Sequence, residues 1–234
     1  MLDLHTHILP RIDDGSRDVE ESIALLSMLK AQGVTRVAAT PHFEARGDTP
    51  EEFLARRNSA YAELLSAAKD MDFPKVFLGA EISYFYGFSH MECLSALRIE
   101  GTRLLLIEMP MEKWTDAMVN ELVSLAAFRE YKPVLAHIER YFPFATRRQL
   151  TRLRENGVLF QINASFVSDK RMRRAAIRFI RRGNVHFLGS DCHRLSFRPP
   201  NISEAGEIII SKLGQSFLSS CDVLFDKYII CIMK

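Results

Sequence analysis

Leu2-Asp3-Leu4-His5-Thr6-His7, at the start of the chain, reads as a short apolar strand whose far end delivers two imidazoles to one point. Residues two apart on a strand face the same side, so His5 and His7 point together. The same design recurs downstream. The apolar runs Val34–Ala39, Lys75–Ala80, Leu104–Ile107, Val134–Ala136 and Val185–Leu188 lead into His42, Glu81, Glu108, His137 and the pair Asp191 and His193. One histidine at a strand end is more often a hydrogen-bonded structural residue than a ligand. Glu81 and Glu108 are harder to explain that way, because a carboxylate after an apolar strand is costly without a cation or a strong partner. Taken together, these residues describe a multinuclear metal site built at one mouth of a barrel.

Between the strands lie helical patterns. Val19, Ile23, Leu26 and Leu29 form a stripe that Gly33 ends, and further helices are expected over about 51–70, 115–130 and 168–182. Val158–Ile162 adds a strand, followed by Asn163. Tyr84–Glu92, with four aromatics and one glycine, reads as an ordered loop at the active site or as a surface turn. Seven strand–helix units without a repeat or linker mean parallel strands covered by helices. An open doubly wound sheet fits that alternation too. Closure is favoured because polar residues sit at nearly every strand's C-terminal end, and closure gathers those ends. The expectation is an α/β fold, a distorted (β/α)7 barrel, as one domain over 1–234.

Composition excludes several classes. With 234 residues, 47% apolar and 26% charged, the chain has enough apolar material for a sizeable soluble core. A formal charge of +2 gives no argument for nucleic acid. The basic run Arg173-Arg174, Arg178 and Arg181-Arg182 fits the solvated face of a helix. Neither a signal segment nor an apolar span of about twenty residues is present, so the cytoplasm is the default expectation rather than the membrane interior. Cys93, Cys192, Cys221 and Cys231 are scattered, with neither zinc-knuckle nor disulfide spacing. Cys192 and Arg198 do match the CxxxxxR spacing of cysteine-dependent phosphatases. The intervening His193-Arg194-Leu195-Ser196-Phe197 lacks the glycine of a phosphate-cradling loop, however, and Pro199-Pro200 replace the following helix.

His5-Thr6-His7, Thr40-Pro41-His42-Phe43, Gly79-Ala80-Glu81, Glu108-Met109-Pro110, His137-Ile138-Glu139-Arg140-Tyr141 and Ser190-Asp191-Cys192-His193 together resemble the PHP (polymerase and histidinol phosphatase) superfamily. Within it, Leu4 to Ser16 is most similar to the manganese-dependent protein-tyrosine phosphatases of bacterial capsule and exopolysaccharide systems. The similarity runs from residue 1 to about 210. It implies one metal held by His5, His7, Glu81 and Asp191. A second would be held by Glu81 as a bridge with Glu108 and His137, and a third by Asp14, His42 and His193. Manganese, up to three ions, is the implied cofactor, with iron or zinc compatible with the same donors. Asp14 has a rival in Asp13, since Asp-Asp-Gly is also a good turn; Gly15 would let the backbone turn Asp14 towards the cluster.

The resemblance also implies chemistry. Arg140, at the family's HxxR position, and Arg198 are the candidate guanidinium clamps on a phosphoryl group. His42 is a candidate to assist the leaving group. The implied partner is the tyrosine-rich tail of a polysaccharide-export kinase, which would recruit the protein to the inner face of the membrane. Two other functions remain open on the residues alone: a histidinol-phosphate or other small-molecule phosphatase, and a non-catalytic PHP interaction module. The apolar segment Cys221–Lys234 departs from the family ending and is expected to pack on the barrel or contact a partner.

Overall fold

The computed structural model describes residues 1–69 and 71–230. In chain order the elements are β1 (Leu2–Thr6), α1 (Val19–Ala31), β2 (Arg36–Ala39), β3 (His42–Phe43), α2 (Pro50–Ala67), β4 (Lys75–Leu78) and β5 (Glu81–Ser83). Next come β6 (Leu104–Glu108), α3 (Asp116–Ala127), β7 (Lys132–Leu135), α4 (Arg147–Glu155), β8 (Leu159–Asn163), α5 (Ala164–Ser168) and α6 (Arg173–Arg181). The last are β9 (Phe187–Gly189), α7 (Ile202–Leu213) and α8 (Ser216–Lys227). A 3-10 turn, Ile138–Tyr141, follows β7.

All strand pairings are parallel, in the orders β1-β2-β4 and β3-β5-β6-β7-β8-β9. The two sheets are one curled surface. β2 and β3 form a single stave broken at Thr40-Pro41, and β4 and β5 another broken at Gly79-Ala80. Pro41 has no N–H to give to the ladder. Single bonds carry the pairing across the breaks: Gly79 N–H donates to Ala39 O at 2.8 Å, and Glu81 N–H to Pro41 O at 2.9 Å. Beyond β9 the chain returns to β1, where Asp191 N–H donates to His5 O at 2.9 Å and His7 N–H to Cys192 O at 2.8 Å. Seven staves result, and the expected distorted (β/α)7 barrel is the architecture found.

The staves are buried on both faces, and Leu4, Leu104 to Ile107, Val134 and Leu135 are fully enclosed. Helices cover them with well-formed starts. Thr49 and Glu52 make a capping box with Pro50 as the first helical residue, and Asp18 accepts from Glu21 N–H at the start of α1. Tyr84–Glu92 is an ordered loop at the mouth: Tyr84 O–H donates to Glu121 at 2.9 Å, and Phe88 is buried.

One sequence expectation changes, and an open one narrows to packing. The helix expected over 168–182 begins only at Arg173, after the separate short α5 ends at Ser168, because the Asp169 side chain accepts from Arg171 and Met172 N–H and offers the backbone a turn. The terminal segment is helical through Lys227 and packs inward with Phe217, Leu218, Cys221 and Phe225 buried. Ile229 then bridges Thr102 in antiparallel fashion. Residues 231–234 of that segment lie outside the described residues.

Candidate metal centre

The barrel brings the strand-end residues to one place. Glu81 is its hub: Oε2 lies 3.1 Å from His5 Nε2, 3.3 Å from His7 Nε2 and 3.2 Å from His42 Nδ1. Its other oxygen, Oε1, is 3.0 Å from His137 Nε2, which lies 3.3 Å from Glu108. Asp191 Oδ1 faces His5, His7 and His193 at 3.7, 3.6 and 3.6 Å. Asp14 Oδ1 stands 3.3 Å from His193 Nε2 and 3.6 Å from His42 Nε2. All nine proposed ligands therefore converge. Three groups among them are close enough for each to share one ion: His7, Asp14, His42 and His193; His5, His7 and Glu81; and His42, Glu81 and Glu108.

Hydrogen bonds behind the rings decide which nitrogens are free. His7 Nδ1 donates to Asp13 at 2.7 Å, and Asp13 also accepts from Gly15 N–H and His42 N–H at 2.9 and 3.0 Å. Gln161 Oε1 accepts from His137 N–H at 2.7 Å, so as an acceptor it takes the Nδ1 proton of His5 at 3.2 Å. His193 Nδ1 donates to Asp191 O at 2.9 Å. These contacts leave the Nε2 lone pairs of His5, His7 and His193 directed at the carboxylates, the arrangement of a ligand held by its outer partner. His7 thus offers one lone pair and serves one ion, although it borders two of the groups.

The pocket attracts positive charge. Burial opposes the charged form of His7, yet Asp13 and Glu81 outweigh it and hold the ring well above its ordinary value. His137, against the same burial, is raised to about 9 by Glu108 and Glu81. Glu81 and Asp191 stay anionic although burial pushes them up: the neighbouring imidazoles hold Glu81 well below the usual carboxylate range and Asp191 at about 2. Glu81 Oε2, His42 Nδ1 and His193 Nε2 are buried without a well-directed hydrogen bond. Anionic oxygens and imidazole lone pairs about 3 Å apart, aimed at each other without hydrogen-bond geometry, fit shared divalent cations.

Backbone strain is concentrated here. Among the described residues, His137, Asp191 and Arg198 are three of the four non-glycine residues with positive φ, at 29°, 54° and 54°. Gly15 acts through space rather than by the turn expected of it. A Cβ there would stand 2.2 Å from His7 O and 2.6 Å from His7 Cβ. Gly189 is similarly close to His5 Cβ, at 2.8 Å for an added Cβ. Only glycine lets these segments pass so close behind the ligands.

At the open side, Arg140 Nη2 and Arg198 Nη1 both contact Asp191 Oδ2, the latter at 3.1 Å, and Asn163 Nδ2 donates to the same oxygen at 2.8 Å. Both guanidiniums are about one-third exposed. Cys192 is fully buried, and burial pushes its thiol up, away from the thiolate that nucleophilic attack requires. Sequence reasoning held Asp13 only as a rival to Asp14, without a role behind His7, and passed over Gln161. Asp13's spacing of six residues from His7, within one loop, was the available signal; Gln161 lies inside an apolar strand and gave only its polarity.

Comparison with known proteins agrees with this geometry. A family model for capsular polysaccharide synthesis, CpsB/CapC, matches residues 1–227. Tyrosine-protein phosphatase CpsB of Streptococcus pneumoniae is 34% identical over 229 residues, covering 92% of this chain and 91% of its own. Tyrosine-protein phosphatase YwqE of Bacillus subtilis (strain 168) is 28% identical over 220 residues, covering 92% and 85%. A solved chain from the crystal structures of YwqE from Bacillus subtilis and CpsB from Streptococcus pneumoniae, described as unique metal-dependent tyrosine phosphatases, superposes with a TM-score of 0.84. The two chains are 26% identical, and the match covers 98% of this chain and 96% of that one. A histidinol phosphate phosphatase from Lactococcus lactis shares the fold, with a TM-score of 0.58 at 14% identity. On the sequence match over nearly its whole length, the chain belongs to the CpsB/CapC family of capsular polysaccharide synthesis.

Proposed function

We propose that this protein is a metal-dependent protein-tyrosine phosphatase that uses manganese and regulates capsule or exopolysaccharide synthesis. The observation that carries the reading is the convergence of nine nitrogen and oxygen donors on one mouth, with two arginines at its open side. Relatives named as tyrosine-protein phosphatases support the substrate class.

His5, His7, Glu81 and Asp191 would hold one ion. Glu81, Glu108 and His137 would hold a second, and Asp14, His42 and His193 a third. Divalent cations in such a set supply Lewis acidity towards phosphoryl oxygens and lower the pKa of water. Arg140 and Arg198 bind and orient the phosphoryl group, moving from Asp191 Oδ2 to the incoming oxygens. Asn163 still holds Asp191 in place when they leave. His42, partly exposed at the rim, can hold a proton near the leaving oxygen when it is not a ligand. The demand on it is small, because a phenolate of pKa about 10 departs with little protonation. The phosphorylated tail of a polysaccharide-export kinase is the proposed partner, its negative phosphates complementing metals and arginines. No single helix among the described residues is long and apolar enough to cross a membrane. The proposed kinase partner places the protein in the cytoplasm, at the inner face of the membrane.

The test is hydrolysis of a phosphotyrosyl peptide by metal-loaded protein, alongside histidinol phosphate. Manganese-stimulated turnover of the peptide, abolished by chelator, is expected. Preference for histidinol phosphate would move the assignment to a small-molecule phosphatase, and no turnover of either would leave a binding module.

A further inference from the structure

Between residues 147 and 182 the chain carries eleven arginines and lysines against two acids, although its overall formal charge is only +2. The excess lies on two neighbouring helices, with Arg147 and Arg148 on α4, Arg174, Arg178 and Arg181 on α6, and Arg182 just after it. These six are partly or fully solvent-facing. Among the described residues, arginine–carboxylate pairs form at Arg11, Arg17, Arg36, Arg56, Arg140 and Arg198, and at none of the six. A merely solvated helix face normally interleaves both signs. This face does not.

The two helices also enclose a cavity of about 390 Å³, lined by Phe142, Leu150 and Phe179, with Arg147 and Arg182 on its walls. The rings of Phe142 and Phe179 meet edge to face at 5.1 Å, and Phe142 is 39% exposed. Phe142 stands two residues beyond Arg140, just past the turn after β7, so the two Cα atoms are within about 7 Å of each other; from there the cavity runs down between the helices to Arg182 and Asn184, before β9.

We propose that this groove docks a second phosphotyrosine of the same substrate peptide while the first occupies the metal centre. The inference rests on the protein-tyrosine phosphatase reading above. The chemistry selects the ligand. The Phe142 and Phe179 rings accept an aryl ring in edge-to-face packing, and the unpaired guanidiniums of Arg147 and Arg182 accept a phosphate dianion through charge-assisted bonds. A lipid headgroup brings charge but no ring, and it meets a surface rather than entering a slot. Because Phe142 is two residues from Arg140, one extended peptide can reach from the mouth into the groove; six residues of it extend about 20 Å.

The experiment uses the full, manganese-loaded chain with three substrates: p-nitrophenyl phosphate, a peptide with one phosphotyrosine, and one with two phosphotyrosines six residues apart. The wild-type protein is expected to show about tenfold higher kcat/KM on the doubly phosphorylated peptide. The double substitution Arg147→Gln with Arg182→Gln, and separately Phe142→Ala, should erase that advantage and leave the other two substrates within about twofold. Equal kcat/KM on both peptides in wild type would overturn the proposal, as would variants slowed alike on all three substrates. Anisotropy with a doubly substituted, non-hydrolysable phosphonate peptide reads docking without turnover. Loss of the phosphatase reading would abolish hydrolysis of every substrate, yet the variant's weaker phosphonate binding would still report the groove. Binding to phosphatidylserine vesicles that the variants lose, without any difference between peptides, would assign the face to membrane instead and overturn the proposal.

Discussion

Arg140 and Arg198 share one oxygen of Asp191 while the other oxygen faces the imidazoles. That division separates two roles at a single carboxylate. If Arg140 clamps the phosphoryl group, Arg140→Ala lowers kcat on a phosphotyrosyl peptide by about 10²-fold without changing bound metal, measured by steady-state kinetics and elemental analysis. A purely structural arginine would instead lower metal content. Asp13 gives the opposite pattern. It fixes the His7 ring from behind, so Asp13→Asn is expected to weaken metal affinity about 10- to 100-fold, read by competition with a chromophoric chelator. The convergence of eight of the nine proposed ligands was legible in the sequence, since each of those histidines and acids ends an apolar run, whereas Asp14 came only from the resemblance. The role of Asp13 was not legible, because Asp13-Asp14-Gly15 offers two carboxylates and only the folded loop shows that Asp13 turns inward while Asp14 stays half exposed.

At the scale of elements, the edge between β8 and β9 holds a pH-sensitive clip. Phe160 N–H donates to His186 Nδ1 at 3.0 Å, and His186 N–H donates to Phe160 O at 2.9 Å. Burial first, then the nearby Lys132 and Arg154, lowers the His186 ring to about 4. The unfolded chain, with an ordinary histidine value near 6.5, takes up this proton first as pH falls. The clip's stabilisation is therefore complete above about pH 6.5 and is lost progressively towards pH 4. On the order of 3 kcal/mol is involved. Thermal melts of wild type and His186→Asn should differ most at pH 7 and converge by pH 4; a constant gap would refute the coupling. The strands and α1, α2 and α3 followed from apolar periodicity to within a few residues, whereas α4 was not foreseen. The late start of the basic helix, after the turn at Asp169, escaped it, because a side chain bonding to its own neighbours leaves no mark on periodicity.

The whole molecule is one curled sheet whose closure makes the site, and α8 backs it. Phe225 is fully buried, meets Phe77 edge to face at 5.1 Å, and lies under the Arg36 guanidinium at 5.2 Å. Arg36 in turn pairs with Asp222 and Asp226 of α8. Phe225→Ala should cost about 3–5 kcal/mol, a fall in Tm of roughly 10 °C for a chain of this size, with metal stoichiometry intact in the cold. An unchanged Tm would mean that the terminal helix is only loosely attached. The barrel was readable from polar residues at successive strand ends, whereas α7 and α8 follow the last strand and carry none of that signal.

Diffraction at the manganese edge from crystals of the manganese-loaded protein bears most directly on the centre. The account predicts anomalous peaks within coordination distance of the donors of His5, His7, Asp14, His42, Glu81, Glu108, His137, Asp191 and His193. A fully loaded, active crystal with no anomalous density among those side chains, or with its ions elsewhere, would contradict it.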